Sequence, residues 1–235
     1  MEAVLSAHQP NFLPYLGFFD KMANSDIFVI RDEVQFVERD WQHRNKIRTQ
    51  GYDRDQNPNW KWVTVPVKKE QKDIKDIEIK PNSKVKNVPA LTYIARQIEA
   101  NYSNAPYFKE YFPEIKNILS QEHAKLSELN MQLIYFLQDA FGIDTEIVKA
   151  SELPGYDKVF ESTGDLVNIC KAAGANIYLS GDGGRNYLDF SRFENKDIQL
   201  MFQNFEHPVY PQRFDGFAPY MASIDALFNV VSLPQ

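Results

Sequence analysis

Two short apolar segments that flank an amphipathic one constrain the fold of this chain more than any other feature. Ala3–Ala7 is short and apolar, and Asp26–Ile30, with the sequence DIFVI, is typical of a second buried strand. Between them, Tyr15–Asn24 carries apolar residues at helical spacing. A helix between two buried strands indicates a βαβ unit, in which a right-handed crossover joins parallel strands. The sequence therefore predicts a parallel sheet that begins with a Rossmann-like βαβ unit.

The rest of the chain favours an α/β protein with a helical addition. Further strands are predicted at Trp60–Val67 and at Ile74–Lys80, the second with the alternation of a half-exposed strand. Residues 84–142 have a helical pattern, and Gly142 is placed to end a long helix in the left-handed conformation. Residues 143–235 return to alternating strands and helices, with a helix that ends at Gly174, a strand at NIYLS and a final short helix at Ile224–Val231. The predicted fold is an open, mostly parallel α/β sheet with a helical layer or insertion.

Size and charge narrow the class of protein. With 235 residues, 43% of them hydrophobic, the chain can bury one substantial core, so residues 1–235 are predicted to form a single domain. The net charge of −6 argues against broad binding of nucleic acid or anionic membranes. Since no run approaches the roughly 18 apolar residues of a membrane helix, a cytoplasmic protein without membrane insertion is expected.

The first candidate loop follows Ala7 and contains His8, Gln9 and Asn11. Ligands of open parallel sheets bind outside the carboxyl ends of the strands, where this loop is expected to lie. Histidine exchanges protons near neutral pH, and the amides at the start of the next helix favour an anion. We therefore expect His8 and Asn11 to take part in catalysis and Gln9 to bind substrate. The alternative is that His8 and Asn11 only cap the helix.

The second candidate loop follows Ile30 and concentrates charged and amide side chains. Asp32, at the predicted strand end, is a second candidate for a catalytic base. Arginine can bind phosphate or carboxylate through two parallel hydrogen bonds, and tryptophan can stack on a ring. The candidate substrate-binding residues of this loop are Gln35, Arg39, Trp41, Gln42, Arg44, Asn45 and Lys46. A solvated charged hairpin is the alternative, although a solvated face would favour Glu and Lys over Gln, Asn and Trp.

The third candidate loop is rich in glycine, so its backbone amides could contact a phosphate closely. It matches neither the P-loop nor the GxGxxG pattern, and a simple tight turn is the alternative. Its candidate substrate-binding residues are Ser180, Gly181, Gly183, Gly184, Arg185 and Tyr187.

A proline- and aromatic-rich segment at about 203–235 either folds over a site as a lid or covers a sheet edge. It contributes His207, Tyr210 and Gln212 as further candidates for substrate binding.

Several common chemistries are not expected. The chain has no pair of CxxC motifs, no HExxH and no GxSxG, which disfavours structural zinc, zincin and α/β-type serine hydrolase sites. No residue is assigned as a resident metal ligand. Cys170 is the single cysteine, so no intrachain disulfide forms, and its place on the apolar face of a predicted helix indicates core packing.

Four ordered motifs resemble the WbqC-like protein family over nearly the full chain. They are HQPNFLPYLGFFDKMANSDIFVIRDEVQFVERDWQHRNKI, WVTVPV, NIYLSGDGGRNYLD and FEHPVYPQ with ASIDALFN. The resemblance implies a role in bacterial synthesis of O-antigen lipopolysaccharide and other surface polysaccharides.

The start of the chain is also similar, more distantly, to the HUP superfamily of nucleotidyltransferase-like α/β folds. In those proteins a strand ends in a histidine-bearing loop, and a helix and a second strand follow. His8 fits this pattern, but the second histidine of the HxGH motif is missing, and Gly17 is the nearest counterpart to that motif. The superfamily includes pantothenate synthetase, which activates a carboxylate as an acyl-adenylate and joins it to an amine. Fold-level likeness of this kind is an analogy for function.

The leading hypothesis is a transferase or ATP-dependent ligase that forms an amide on the amino group of a nucleotide-linked sugar. Its partners are that sugar and an acyl or amino-acid donor. If the donor is activated in place, ATP and Mg²⁺ are needed, with Asp32 as a metal ligand. The alternative is a non-catalytic nucleotide-sugar binding or assembly protein of the same pathway. The sequence leaves the sugar, the acyl group and the oligomeric state open, a homodimer included.

Overall fold

The computed structural model describes residues 2–230 of the chain. Short 3₁₀ turns lie at Ile74–Asp76, Ala150–Glu152 and Asp182–Asn186. The strands and helices in chain order are β1 Val4–His8, α1 Leu16–Ala23, β2 Ile27–Ile30, β3 Arg44–Tyr52, β4 Pro58–Thr64, β5 Lys84–Val85, β6 Val88–Pro89, α2 Ala90–Tyr102, α3 Phe108–Ser120, α4 Leu126–Ala140, β7 Glu146–Lys149, α5 Ser162–Ala173, β8 Ile177–Ser180, α6 Phe190–Glu194, β9 Gln199–Phe202 and α7 Ile224–Asn229.

The chain forms two compact units, each built from three separate stretches. The sheet unit comprises residues 2–9, 17–33 and 143–206. The helical unit comprises residues 10–16, 34–142 and 207–230. The single domain expected from the sequence stays a prediction. Among the helices of residues 2–230, none is long and apolar enough to cross a membrane.

The sheet unit contains a five-stranded, all-parallel sheet with the order β7-β2-β1-β8-β9. The chain starts at the central strand β1, builds outward through β2 to β7, and then returns to the other side of β1 for β8 and β9. Counted within the sheet, this is the order 3-2-1-4-5, which matches the first five strands of the Rossmann order 3-2-1-4-5-6, and the direction of growth reverses beside the first strand. The predicted open α/β fold is confirmed.

Strands β2 and β8 of this sheet are apolar runs because residues on both faces of each strand are buried. Phe28, Val29 and Ile30 of β2 have no exposed surface, and every residue of β8 is buried. Cys170 of α5 packs in the same core, as expected, and burial raises the pKa of its thiol to about 12.

Two helices end at the glycines expected from the sequence. Gly142 follows α4 with φ +65°, and Gly174 caps α5 with φ +70°. Residues with a Cβ disfavour this left-handed conformation, which is why glycine commonly ends a helix. The predicted ends of both helices are confirmed.

The helical unit joins an antiparallel hairpin of β3 and β4 to helices α2, α3 and α4. The predicted apolar face of α4 is confirmed, since Leu126, Leu129, Leu133 and Leu137 have no exposed surface. The predicted final helix at 224–231 is observed as α7, and residue 231 lies outside the described residues.

Two predictions of local structure in this unit are wrong. Ile74–Lys80 is not a strand but begins with a 3₁₀ turn, because its buried residues Ile74 and Ile77 recur at spacing three rather than two. Conversely, part of the charged loop after β2 is strand β3. Its period of two was hidden because Asn45, a polar residue, is buried beside the apolar Ile47.

A buried carboxylate organises the C-terminal part of the helical unit. Asp225 of α7 has no exposed surface and accepts hydrogen bonds from Tyr102 Oη at 2.7 Å, Tyr210 Oη at 2.8 Å and Gln212 Nε2 at 2.7 Å. Tyr102 Oη in turn accepts from the backbone N–H of Arg48 at 2.8 Å. Burial raises the pKa of Asp225, and these donors oppose the rise. The segment after residue 206 is thereby fixed to β3 and α2.

We predict that Tyr102→Phe destabilises the protein by about 1–3 kcal/mol, because the buried Asp225 and the Arg48 amide each lose a partner. Urea unfolding measures the change. Tyr135→Phe is the matched control, because Tyr135 is 46% exposed, and it should alter stability by less than about 0.5 kcal/mol. Equal effects of the two substitutions would contradict the role given to Asp225.

Candidate functional site

The point where the strand order reverses lies between β1 and β8 in the sheet unit. In open parallel sheets this is where a ligand enters, outside the carboxyl ends of the two strands. Strand β1 ends at His8, which Gln9 follows, and β8 ends at Ser180, which the glycine-rich turn follows. Two of the three predicted loops therefore belong to the same end of the same sheet.

Strands β1 and β8 stop pairing before they end. Their register runs from Val4–Ile177 to Leu5–Tyr178, whereas β1 stays paired with β2 as far as His8. Strand β8 likewise stays paired with β9 as far as Ser180. The last residues of β1 and β8 thus face each other without a ladder. Their backbone polar groups need other partners, which is the usual state of a ligand-binding sheet end.

His8 presents a neutral imidazole at this end of the sheet. Its Nδ1 lies 3.0 Å from the Gln9 carbonyl oxygen, which can only accept, so Nδ1 carries the proton and Nε2 has the lone pair. The ring packs edge-on against Phe18 with 5.0 Å between centroids. Burial and then the charge of Lys21 lower the pKa of His8 to about 3. His8 is therefore suited to accept a hydrogen bond or a proton through Nε2.

Lys21 of α1 is a buried amine that was not among the predicted site residues. It is 5% exposed, and its Nζ donates to the Ala7 carbonyl at 2.9 Å. Burial lowers its pKa to about 7. A lysine in a helix with apolar residues on every side was the available signal, because such a helix has little exposed surface for a charge.

Gln203, also missed, connects the end of β9 to α1. Its side-chain amide donates to the Gly17 carbonyl at 2.8 Å and to the carboxylate of Asp20. Gln203 is 8% exposed, so these bonds are shielded from water. They fix the start of α1 beside the point where the strand order reverses.

In the turn after β8, packing explains one of the glycines but not two others. A Cβ on Gly184 would lie 2.1 Å from Ser180 Oγ and 2.9 Å from Leu188, so packing within the unit requires glycine there. A Cβ on Gly181 or Gly183 would meet nothing within 4 Å in the described part of the chain, and neither has a positive φ. The fold of these residues therefore does not explain why positions 181 and 183 are glycine, whereas a ligand that approaches the backbone would.

The side chains after this turn are exposed. Arg185 Nε donates to Asp182 at 2.8 Å, and its guanidinium lies 4.2 Å from the centre of the Phe202 ring. Tyr187 is 62% exposed. Both side chains can meet a ligand without a change in the core.

Asp32, the other candidate base, connects two loops of the sheet unit. It is 4% exposed, and its two carboxylate oxygens accept from Ser151 N at 3.1 Å and Ser151 Oγ at 2.6 Å. Both oxygens already have a donor, so the geometry places His8 ahead of Asp32 as the base.

Beside Asp32 lies a buried ionic network. Arg31 forms ion pairs with Glu33 and Asp165, and Tyr156 Oη donates to Glu33 at 3.2 Å and Asp165 at 2.9 Å. Burial and the charge of Glu33 raise the pKa of Tyr156. Since Asp165 belongs to the first turn of α5, the network fixes that helix to the end of β2. Within residues 2–230, no group of three or more His, Cys, Asp or Glu side chains is arranged to hold a metal ion.

The helical unit contains a tryptophan cluster, which we define as Trp41, Trp60 and Trp62 with Lys46 and Arg44. Lys46 Nζ lies 4.2 Å, 5.5 Å and 5.7 Å from the ring centres of Trp60, Trp62 and Trp41. The Arg44 guanidinium lies 4.1 Å from the ring centre of Trp62. Burial lowers the pKa of Lys46. Trp41 is 38% exposed and Trp60 is 41% exposed, so the cluster offers ring faces and cations to solvent.

Trp60 and Trp62 were not among the predicted site residues. They belong to β4, and the hairpin register pairs Lys46 with Trp62 and Arg48 with Trp60. Their alternation with Lys61 in a predicted strand was the signal that they share a face.

Other predicted residues of the helical unit hold its backbone. Asn45 Nδ2 donates to the Leu13 carbonyl at 2.6 Å, and Gln42 Oε1 accepts from Val37 N at 2.9 Å. Asn11 is buried at 6% exposure.

Two predicted residues between β2 and β3 are exposed. They are Gln35 and Arg39, and Arg39 has φ +66°.

The predicted residues after position 206 lie in two different environments. Tyr210 and Gln212 are bonded to Asp225, so their polar groups serve the fold. His207 lies among the rings of Tyr210, Phe217 and Tyr220, and burial lowers its pKa.

The sequence also predicts one pocket that includes both His8 and Arg44. His8 belongs to the sheet unit and Arg44 to the helical unit, so their proximity stays a prediction.

Residues 9–232 match the model of the WbqC-like protein family. The chain belongs to the WbqC-like protein family. It is 31% identical over 224 residues to the uncharacterized protein Rv1507c of Mycobacterium tuberculosis, an alignment that covers 94% of this chain and 91% of the relative. No solved structure matches the chain. The expected membership is confirmed.

We predict that Lys21→Met removes a pH dependence of stability. The folded-state pKa of Lys21 is about 7 and its ordinary value is 10.5, so between these limits the unfolded chain binds a proton that the folded chain releases. Wild-type stability therefore gains about 1.4 kcal/mol per pH unit relative to the variant as pH rises through this window. Urea unfolding at a series of pH values measures it.

Lys196→Met, at an exposed position of the same unit, is the matched control and should keep the wild-type slope. If the free energy of unfolding changes with pH equally in the wild type and in Lys21→Met, the Lys21 amine is solvated as in the unfolded chain.

Proposed function

We propose that this WbqC-like protein catalyses amide formation on the amino group of a nucleotide-linked sugar during bacterial surface-polysaccharide synthesis. The observation that carries the proposal is His8 at the reversal point of a parallel sheet with Rossmann-type strand order. The pathway follows from the resemblance to the family, whose members occur in O-antigen gene clusters.

The reaction needs a group that accepts a proton. The sugar amine attacks the acyl carbonyl carbon, a C–N bond forms, the bond to the leaving group breaks, and nitrogen loses a proton. His8 Nε2 carries a lone pair at neutral pH because burial keeps the imidazole uncharged. The donor is an acyl thioester, which releases a thiol, or a carboxylate. A carboxylate would first react with ATP, in the presence of Mg²⁺, to give an acyl-adenylate and pyrophosphate, and the amine would then displace AMP.

The tryptophan cluster supports recognition of a ring-bearing anion. Exposed aromatic faces stack on bases or sugars, and the adjacent Lys46 and Arg44 attract negative charge. A nucleotide-linked sugar offers rings and phosphates together.

A non-catalytic nucleotide-sugar binding protein is the second candidate. One observation favours it: with a pKa of about 3, His8 is a weak base at neutral pH. Turnover therefore decides between the two functions.

We predict that His8→Ala lowers kcat by about 10²–10⁴-fold, the usual contribution of a positioned base, and leaves sugar binding intact. UDP-, dTDP- and GDP-linked amino sugars are incubated with acyl thioesters, or with amino acids and ATP, and amide products are measured by mass spectrometry. Thermal shift with each nucleotide sugar measures binding.

His123→Ala is the control, because His123 Nε2 lies 2.7 Å from the Ile118 carbonyl in the helical unit, outside the candidate site. If the wild type binds a nucleotide sugar but forms no amide with any acyl donor, the proposed enzyme is wrong and the binding protein is the function.

We predict that a nucleotide-linked sugar quenches tryptophan fluorescence in a saturable titration. The chain has three tryptophans, and all three belong to the cluster, so their emission reports on this surface alone. Trp60→Ala should weaken binding by about 1–3 kcal/mol, the usual contribution of one stacked ring. Tyr135→Ala removes an exposed ring elsewhere in the unit and should bind as wild type. An unquenched titration with a sugar that raises Tm would exclude the cluster from the binding surface.

A further inference from the structure

The unpaired ends of β1 and β8 have a defined set of polar groups. Alternate residues of a strand point their backbone groups to the same edge, and the Ala3 carbonyl accepts from Ile177 N of β8. The Ala7 carbonyl therefore points toward β8 as well. In a continued ladder the donor to this carbonyl would be the Gly181 N–H, but that bond falls beyond the last paired residues. Lys21 Nζ supplies the hydrogen bond to that carbonyl instead.

The fold does not need a lysine at this position. A single hydrogen bond to a carbonyl compensates little of the cost of burying an ammonium group, and an apolar residue of similar volume is often as stable or more stable there. Lys21 Nζ lies 5.9 Å from the centre of the Phe28 ring, but its two other N–H groups have no hydrogen-bond acceptor among residues 2–230, and the side chain is 5% exposed. A buried donor left in excess at a sheet end indicates a missing acceptor.

Donors from two different elements are directed toward this place. Lys21 Nζ lies at the Ala7 carbonyl, and the Gly181 N–H belongs to the strand end that would have bonded the same carbonyl. A Cβ at Gly181 would meet no atom within 4 Å in the part of the chain that the structure describes, so the backbone there can be approached. Two converging N–H donors, one of them an amine that can be charged, favour an oxyanion.

We infer that the gap between the ends of β1 and β8 binds a phosphate group, with Lys21 Nζ and the Gly181 N–H as its donors. The inference rests on the proposed function, because the diphosphate of a nucleotide-linked sugar is the phosphate in question. It adds Lys21 to the site as a binding residue. His8 is the titratable group beside it, and its neutral ring does not repel the ammonium.

The two donors can be removed separately without a steric clash. Lys21→Met keeps the length of the side chain and deletes its N–H groups. Gly181 has φ −66° and follows a residue in a strand, so Gly181→Pro fits the backbone and removes the N–H while it adds a ring. Gly181→Ala keeps the N–H and adds only a Cβ, so the difference between these two variants reports on the N–H. Lys196→Met is the control for the loss of one positive charge from the unit.

Isothermal titration calorimetry with inorganic pyrophosphate, UDP and acetate tests the inference. Lys21→Met and Gly181→Pro should each weaken pyrophosphate and UDP binding by about tenfold or more, as expected for a lost hydrogen bond to a charged group. Gly181→Pro should bind both ligands more weakly than Gly181→Ala, and Lys196→Met should bind as wild type. Thermal unfolding verifies that each variant folds, and if one donor variant fails to fold, the other decides.

Wild-type affinity for pyrophosphate in both donor variants would overturn the inference and leave the proposed function standing. Binding of acetate in place of pyrophosphate, with the same dependence on Lys21, would overturn it in favour of a carboxylate site. If both Lys21 Nζ and the Gly181 N–H prove necessary for UDP binding but no acyl or amino-acid substrate yields an amide, the inference holds and the proposed reaction fails.

Discussion

The early end of pairing between β1 and β8 is the constraint on which the chemistry of the sheet unit depends. Parallel strands that continue side by side normally satisfy each other's backbone groups. Here the ladder stops at Leu5–Tyr178, and the groups beyond it need partners from elsewhere. Lys21 takes the Ala7 carbonyl, and His8 turns its Nδ1 proton to the Gln9 carbonyl. The buried amine of Lys21 thus fills a position that a ladder bond would otherwise occupy.

Both basic groups at this sheet end have pKa values that burial lowers. The pKa of His8 falls to about 3 and that of Lys21 to about 7, so each group destabilises the folded chain at pH values below its ordinary pKa, most of all below its lowered pKa. A fold selected for stability alone would place apolar residues here. Residues that cost stability at a strand end, beside glycines that packing does not require, are typical of a functional site.

The sequence predicted those features that depend on short segments. Apolar runs predicted the strands β1, β2 and β8, and Gly142 and Gly174 predicted the ends of two helices. Features that depend on register or on burial by distant segments were missed. Lys46 lies among three tryptophans because the hairpin pairs it with Trp62, and no local pattern fixes such a register. The helical pattern did not show that Lys21 is buried, because its burial depends on the segments that pack around α1.

The polar residues predicted for the site divide according to whether the fold already uses them. Tyr210 and Gln212 bond Asp225, and Asn45 bonds the Leu13 carbonyl, so substituting them would damage stability before it reported on a ligand. His8 Nε2 and the exposed faces of Trp60 are different, because their contacts within the chain leave the reactive atom or ring face available. A polar side chain is informative about function to the extent that the fold leaves its hydrogen-bonding capacity unfilled. By this criterion the sheet end with His8 and Lys21 is the stronger site in the sheet unit, and the tryptophan cluster is the stronger one in the helical unit.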